Sequence, residues 1–136
     1  MYGWNHVRVF LVLLVLALSV PAKTPKMKRI ATGLWGGDHI RIKVGAKSAT
    51  VEYDCASGVI NGPLVVDANG RFNLHGVHRA EHGGPVRVGE TGKEQPATYT
   101  GSIKGNRMTL DLKLDGSDVE TFTLEKGKAG ELFKCK

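Results

Sequence analysis

The run HGVHRAEHGGPVRVGE, from His75 to Glu90, packs three histidines, two arginines and two glutamates into sixteen residues. Side chains of these types could ligate a metal, move protons or hold a charged partner. The spacing decides what they can do together. On a strand, Phe72, Leu74, Gly76 and His78 share one face and His75 points the other way, so His75 and His78 do not converge on an ion. His78 and His82 stand four apart, a useful interval only on a helix, and HGGP forbids one there. A metal centre is therefore not expected, and no catalytic residue or cofactor is assigned. If the protein has a ligand-binding site, its candidates are Trp35, His39, His78, Glu81, His82 and Arg87. Four of these lie in or beside the stretch 80–96, a longer connection than the usual 4–6 residues. Long connections in small domains are where function concentrates. Glu81 and Arg87 are expected to form a local ion pair.

Other catalytic signatures are absent. There is no G-x-S-x-G, and Ser48, Ser57, Ser102 and Ser117 have no neighbouring histidine in sequence. Glu52 and Asp54 share a strand face but read as solvated acids. No glycine loop leads into a helix, so no phosphate cradle is expected.

These side chains must be positioned by strands. MTLDLKL alternates throughout, with Met108, Leu110, Leu112 and Leu114 opposed to Thr109, Asp111 and Lys113. HIRIKV and ATVEYDC do the same. Such period-two alternation marks antiparallel sheet with one buried face. DANG, KGNR, DGSD and EKGKAG supply the turns, and eighteen glycines suit many corners. The expected strands are 31–36, 38–45, 49–55, 63–67, 70–79, 97–104, 107–115, 119–126 and 130–135. A meander of that length has two raw edges unless it closes. The expected fold is all-β, an eight- or nine-stranded antiparallel up-and-down barrel or rolled sandwich. The expected core comprises Trp35, Ile40, Ile42, Val51, Tyr53, Leu64, Val66, Phe72, Leu74, Tyr99, Ile103, Met108, Leu110, Leu112, Phe122, Leu124 and Phe133. These bulky residues favour a filled interior over a hollow one.

Residues 1–22 read as a signal peptide: one charge, Arg8, then an apolar run from Val9 to Val20, too short to span a bilayer. Cleavage after Ala22 leaves a basic arm, 23–30, and one barrel domain, 31–136, with no stable membrane span. Localisation is then secreted or periplasmic. In that oxidising setting Cys55 and Cys135, the only cysteines, pair as a disulfide. The net charge is +6. Arg8 departs with the leader, and Lys23, Lys26, Lys28 and Arg29 sit in the arm, so the body is close to neutral. That is no footprint for nucleic acid. A monomer is expected.

GLW in GLWGGDHI resembles the opening of lipocalin- and avidin-type barrels, in which the tryptophan plugs one end. The ordered set GLWGGDHI, VEYDCASG, GRF, EHGGPVR, YTGSIKGNRMTL, FTL and KC resembles a family of small exported bacterial one-disulfide β proteins. That resemblance covers nearly all of the chain past the leader and implies a secreted one-disulfide β protein, with no catalytic expectation. Periplasmic inhibitors of metalloproteases offer an architectural analogy, since they are small barrels whose N-terminal arm enters a protease cleft. The functional expectation is non-enzymatic binding of a small apolar ligand, beside Trp35, or of a protein partner. The alternatives are an inhibitor using the arm and an enzyme using the 80–96 loop with His39 or His78.

Overall fold

A computed structural model describes residues 19–21, 24, 26–90 and 92–136. Most of the expected leader, its cleavage site and the first residue of the arm lie outside the described residues. The described chain is all-β, and no described helix is long and apolar enough to cross a membrane. Ten strands form: β1 (Lys28–Arg29), β2 (Gly33–Gly37), β3 (Ile40–Val44), β4 (Ala49–Tyr53), β5 (Ala56–Ile60), β6 (Val65–Val66), β7 (Arg71–Ala80), β8 (Glu94–Lys104), β9 (Arg107–Leu114) and β10 (Glu120–Lys126). Eight of them close into an antiparallel barrel in the order β10-β2-β3-β4-β5-β7-β8-β9. Each strand pairs with its neighbour in the chain, apart from the skipped β6, so the barrel is up-and-down.

The alternation seen in sequence holds where it was clearest. Met108, Leu110 and Leu112 are buried on β9, and Ile40, Ile42 and Val44 on β3. Register follows: Ile42 lies opposite Val51, and Leu110 opposite Gly101. Gly76 and Gly101 permit close approach, since a Cβ on either would run into the carbonyl of Val59 or Thr109 on the adjacent strand.

Three expected elements differ. First, residues 56–60 form a barrel strand where none was expected. ASGVI hides its pattern because Gly58 faces in and Val59 faces out, the reverse of the usual order. The Tyr99 hydroxyl occupies the space a Cβ at Gly58 would need. Secondly, 63–67 is not a barrel strand. Val65–Val66 pairs with Lys28–Arg29 in a separate ribbon, so the basic arm is partly folded rather than a free tail. Thirdly, 130–135 is not a strand. Glu131 makes one isolated bridge to Asp38, and Phe133 is 67% exposed rather than in the core.

The two ends of the barrel are closed differently. At one, the capped end, the β1–β6 ribbon lays Leu64 and Val66 over the core, and the Ile30 amide donates to the Leu64 carbonyl at 2.9 Å. Trp35, only 2% exposed, packs beneath it. At the other, the tied end, gather the turns 38–39, 54–55 and 115–119 and the loop 81–93. The chain after β10 climbs to this end along the barrel seam. That seam is short, with Glu125 opposite Gly36 and Lys126 opposite Trp35. Gly127 donates to Leu34, Arg41 Nε donates to the Ala129 carbonyl, Glu131 donates to Gly37, and His39 donates to Glu131. Gly36 has to be glycine for this crossing, because a Cβ there would strike the Gly130 nitrogen. The tail then ends in a disulfide between Cys135 and Cys55, whose Cα atoms are 5.3 Å apart. Cys55 sits in the β4–β5 turn and Cys135 in the tail, neither in a strand.

Candidate functional site

Chemistry-bearing side chains concentrate at the tied end, in three groups with separate partners. The first group anchors the tail. The Asp54 carboxylate accepts from the Phe133 amide at 2.8 Å and pairs with His39 Nδ1 at 2.6 Å. Those bonds, the Phe133 amide first, hold the Asp54 carboxyl below its ordinary range, with Lys134 nearby acting in the same sense. Cys135 donates its amide to the Asp54 carbonyl, and Lys134 Nζ donates to the Tyr53 carbonyl at 2.7 Å. His39 reaches Asp54 from a left-handed turn, φ 63°, a conformation uncommon outside glycine. Glu52 pairs instead with Arg41 at 3.1 Å. Glu52 and Asp54 therefore serve different neighbours and do not act as a carboxylate pair.

The second group braces the loop 81–93. His82 turns both ring nitrogens to oxygen, Nδ1 to the Gly83 carbonyl at 2.9 Å and Nε2 to Glu90 at 2.5 Å. Two acceptors favour the doubly protonated ring, which raises the His82 pKa. The Arg87 amide donates to the Glu90 carboxylate at 3.0 Å and, with His82, lowers the Glu90 pKa. The expected Glu81–Arg87 ion pair does not form. Glu81 faces Lys134 at 3.5 Å, and among the described residues no ion pair involves the Arg87 side chain. The geometry explains this: the tail brings Lys134 beside Glu81, and Arg87 lies at the far tip of the loop. Next to it Val86 and Val88 are 70% and 107% exposed.

The third group lies inside the rim. Tyr53, 6% exposed, sits between the rings of His78 and Phe122, at centroid distances of 5.4 and 5.5 Å. Tyr53 Oη and His78 Nδ1 are buried and make no hydrogen bond. Tyr99 is close enough to disfavour the Tyr53 phenolate, but its own hydroxyl donates to the Val77 carbonyl at 2.9 Å, and the two hydroxyls do not meet hydrogen-bond geometry. Burial raises the Tyr53 pKa far above the ordinary value. Burial also lowers the His78 pKa, partly offset by the charge of Glu120. A buried polar atom without a partner costs about 1–3 kcal/mol, so two in one place stand out.

The sequence candidates thus scatter. His39, His78 and His82 each have a different partner: Asp54, Tyr53 and Glu90. Among the described residues no three His, Cys, Asp or Glu side chains gather as metal ligands would. Trp35 lies at the capped end, away from the other candidates. Sequence reading missed Asp54 as an anchor, Tyr53 and Glu120 as neighbours of His78, and Phe122 as the ring on the other side of Tyr53. The inward parity of Tyr53 and His78 was legible, but their adjacency depends on β5 standing between them.

No family model, no curated protein and no solved structure matches the chain.

Proposed function

We propose that this is an exported, non-enzymatic barrel that binds a protein partner through the loop 81–93. The observation that carries the reading is the pair Val86 and Val88. Both stand in solvent on a loop held at its base and across its middle. Exposing two valines costs the free protein the benefit of burying them, roughly 1.5–3 kcal/mol each, which a partner surface would recover. The bracing matters equally. The His82–Glu90 and Arg87–Glu90 bonds, and the disulfide beside the loop base, reduce the ordering that binding would otherwise demand. Arg87 between the valines adds a residue type enriched at interface centres.

The competing readings have less support. A small apolar ligand beside Trp35 would find an open groove shared with the charged side chains of Lys28, Arg29, Asp67 and Lys126, and Trp35 itself is almost wholly buried against the core. An inhibitory arm would have to free Lys28 and Arg29 from their pairing with β6. An enzyme built on Glu81 and Arg87 with His39 or His78 would need side chains that instead face separate partners. Export itself accords with the disulfide, which belongs to an oxidising compartment.

Photo-crosslinking tests the reading. A photoreactive residue at position 88, presented to the exported proteins of the producing cell, should give one predominant adduct. The same residue at position 113, on the outer face of β9, should give none. Unlabelled wild-type protein should compete the adduct away, and a Val86→Ser/Val88→Ser double variant should not. Absence of an adduct from position 88, or equal competition by the variant, overturns the proposal.

A further inference from the structure

Charge is distributed unevenly along the barrel axis. At the tied end both signs mix, Asp38, Asp54, Asp115 and Asp118 with Arg87 and Lys134. At the capped end cations collect. Lys28 and Arg29 of the ribbon and Lys126 at the close of β10 line an open groove of about 540 Å³. The Lys126 amide donates to the Asn106 carbonyl at 2.8 Å, which sets the β8–β9 turn beside it, with Lys104 and Arg107 flanking that turn. All five residues are exposed, and among the described residues none of them forms an ion pair. The acids close by are engaged elsewhere. Asp67, which lines the groove, accepts from the amides of Asn69 and Arg71, and Glu125, opposite Arg107, pairs with Lys128 at 2.7 Å. A body that is close to neutral in sum therefore has a cationic pole, because the pairing of β1 with β6 carries the basic arm to the turn between β8 and β9.

We propose that the capped end is a docking surface for an anionic phospholipid membrane. Exposed cations gathered on one pole are drawn to a plane of negative charge, and each adds to the attraction. Two further observations favour a lipid surface over a nucleic acid or an acidic protein. Met27, next to Lys28, is 52% exposed, and an apolar side chain among cations gains burial at the boundary between headgroups and acyl chains. The apolar run from Val9 to Val20 ends seven positions before Met27. Seven residues reach at most about 25 Å, so a leader lying in a bilayer holds the capped end, and not the tied end, against it. The docking is peripheral and needs no span. It points the loop 81–93, at the opposite end of the barrel, away from the lipid and toward a partner. The inference goes beyond the loop reading and uses none of its residues.

Co-sedimentation of the exported, disulfide-intact protein with lipid vesicles tests the surface. Vesicles of phosphatidylglycerol and phosphatidylcholine in equal parts should carry the protein down at low salt, and vesicles of phosphatidylcholine alone should not. Binding should fade toward about 1 M salt, where charges act over only about 3 Å. Lys28→Gln/Arg29→Gln and Lys104→Gln/Arg107→Gln, all exposed changes, should each weaken binding about twenty-five-fold, roughly fivefold for each charge. Lys93→Gln/Lys136→Gln removes the same charge from the tied end and should leave binding unchanged, which separates the place of the charge from its total. The Val86→Ser/Val88→Ser variant should also bind the vesicles normally, which separates this surface from the loop. A DNA duplex at equal phosphate concentration should bind more weakly than the mixed vesicles. No retention by the mixed vesicles, equal retention by both kinds, full binding by both capped-end variants, an equal loss in Lys93→Gln/Lys136→Gln, or tighter binding to the duplex would each overturn the proposal.

Discussion

At the capped end, a two-strand ribbon lays Leu64 and Val66 onto Trp35, and the closure is continuous with the core. At the tied end, closure comes from a tail, a carboxylate and a disulfide: Asp54 gathers Phe133 and His39, and Cys135 is bonded to Cys55. Apolar closure spends its side chains on packing, and it too leaves one polar atom without a partner, the buried Trp35 Nε1. Polar and covalent closure uses few residues at fixed points. It leaves the loop between them exposed and allows Tyr53 and His78 to keep unpaired atoms. The barrel is thus closed by packing at one end and by fixed polar and covalent points at the other.

Removing the disulfide should give the largest effect. The bond closes a loop of sequence separation 80, and in the chain-entropy picture its loss costs about 4–5 kcal/mol. A Cys55→Ala/Cys135→Ala variant, measured by urea denaturation, should lose about that much. Its first amides to gain hydrogen exchange should be those of His39 and Cys135, whose bonds the tail supplies. A loss well under 1 kcal/mol would mean that the tail is an ornament and that the seam alone closes the barrel.

Leu64→Ala probes the other end. Leu64 is 1% exposed, and truncation of a buried leucine costs about 2–5 kcal/mol. The same denaturation experiment should show that loss with a two-state transition and with exchange at the tied end unchanged relative to the global rate. If the ribbon melts separately and global stability holds, the capped end is an appendage and the contrast between the ends fails.

The smallest effect is the pH response of the loop. The raised His82 pKa means that its contribution is full below the ordinary value of 6.5 and is lost as pH rises through the folded value. The lowered Glu90 pKa means that its contribution is full above the ordinary value of 4.5 and is lost as pH falls through the folded value. The brace should therefore be strongest between those two values. Backbone relaxation should report greater order for Arg87 and Val88 at pH 5.5 than at pH 8, and the disulfide-anchored turn should not change. Equal order at both pH values would remove the His82–Glu90 pair from the account of the loop.

Parts of this arrangement are legible without a structure. Alternation in MTLDLKL and HIRIKV specifies which face is buried, because each residue's partition between water and core is a local property. The count of eight barrel strands agrees with expectation, but by exchange: Ala56–Ile60 enters where 63–67 and 130–135 were expected. Gly58 can face the core only because Tyr99, forty-one positions later, supplies the missing bulk. No periodicity within ASGVI carries that information. His78 is visible as an inward residue, but its isolation with Tyr53 follows from which strands meet.

The amino-acid sequence by itself therefore determined the all-β class, the buried faces and a cysteine pair free to join. These follow from residue types and their immediate neighbours. Tertiary structure alone decided that the arm and Val65–Val66 cap one end, that the tail straps the other, and that Lys134 rather than Arg87 meets Glu81. Those outcomes depend on distances between segments remote in the chain, which are set only once the sheet has curled shut.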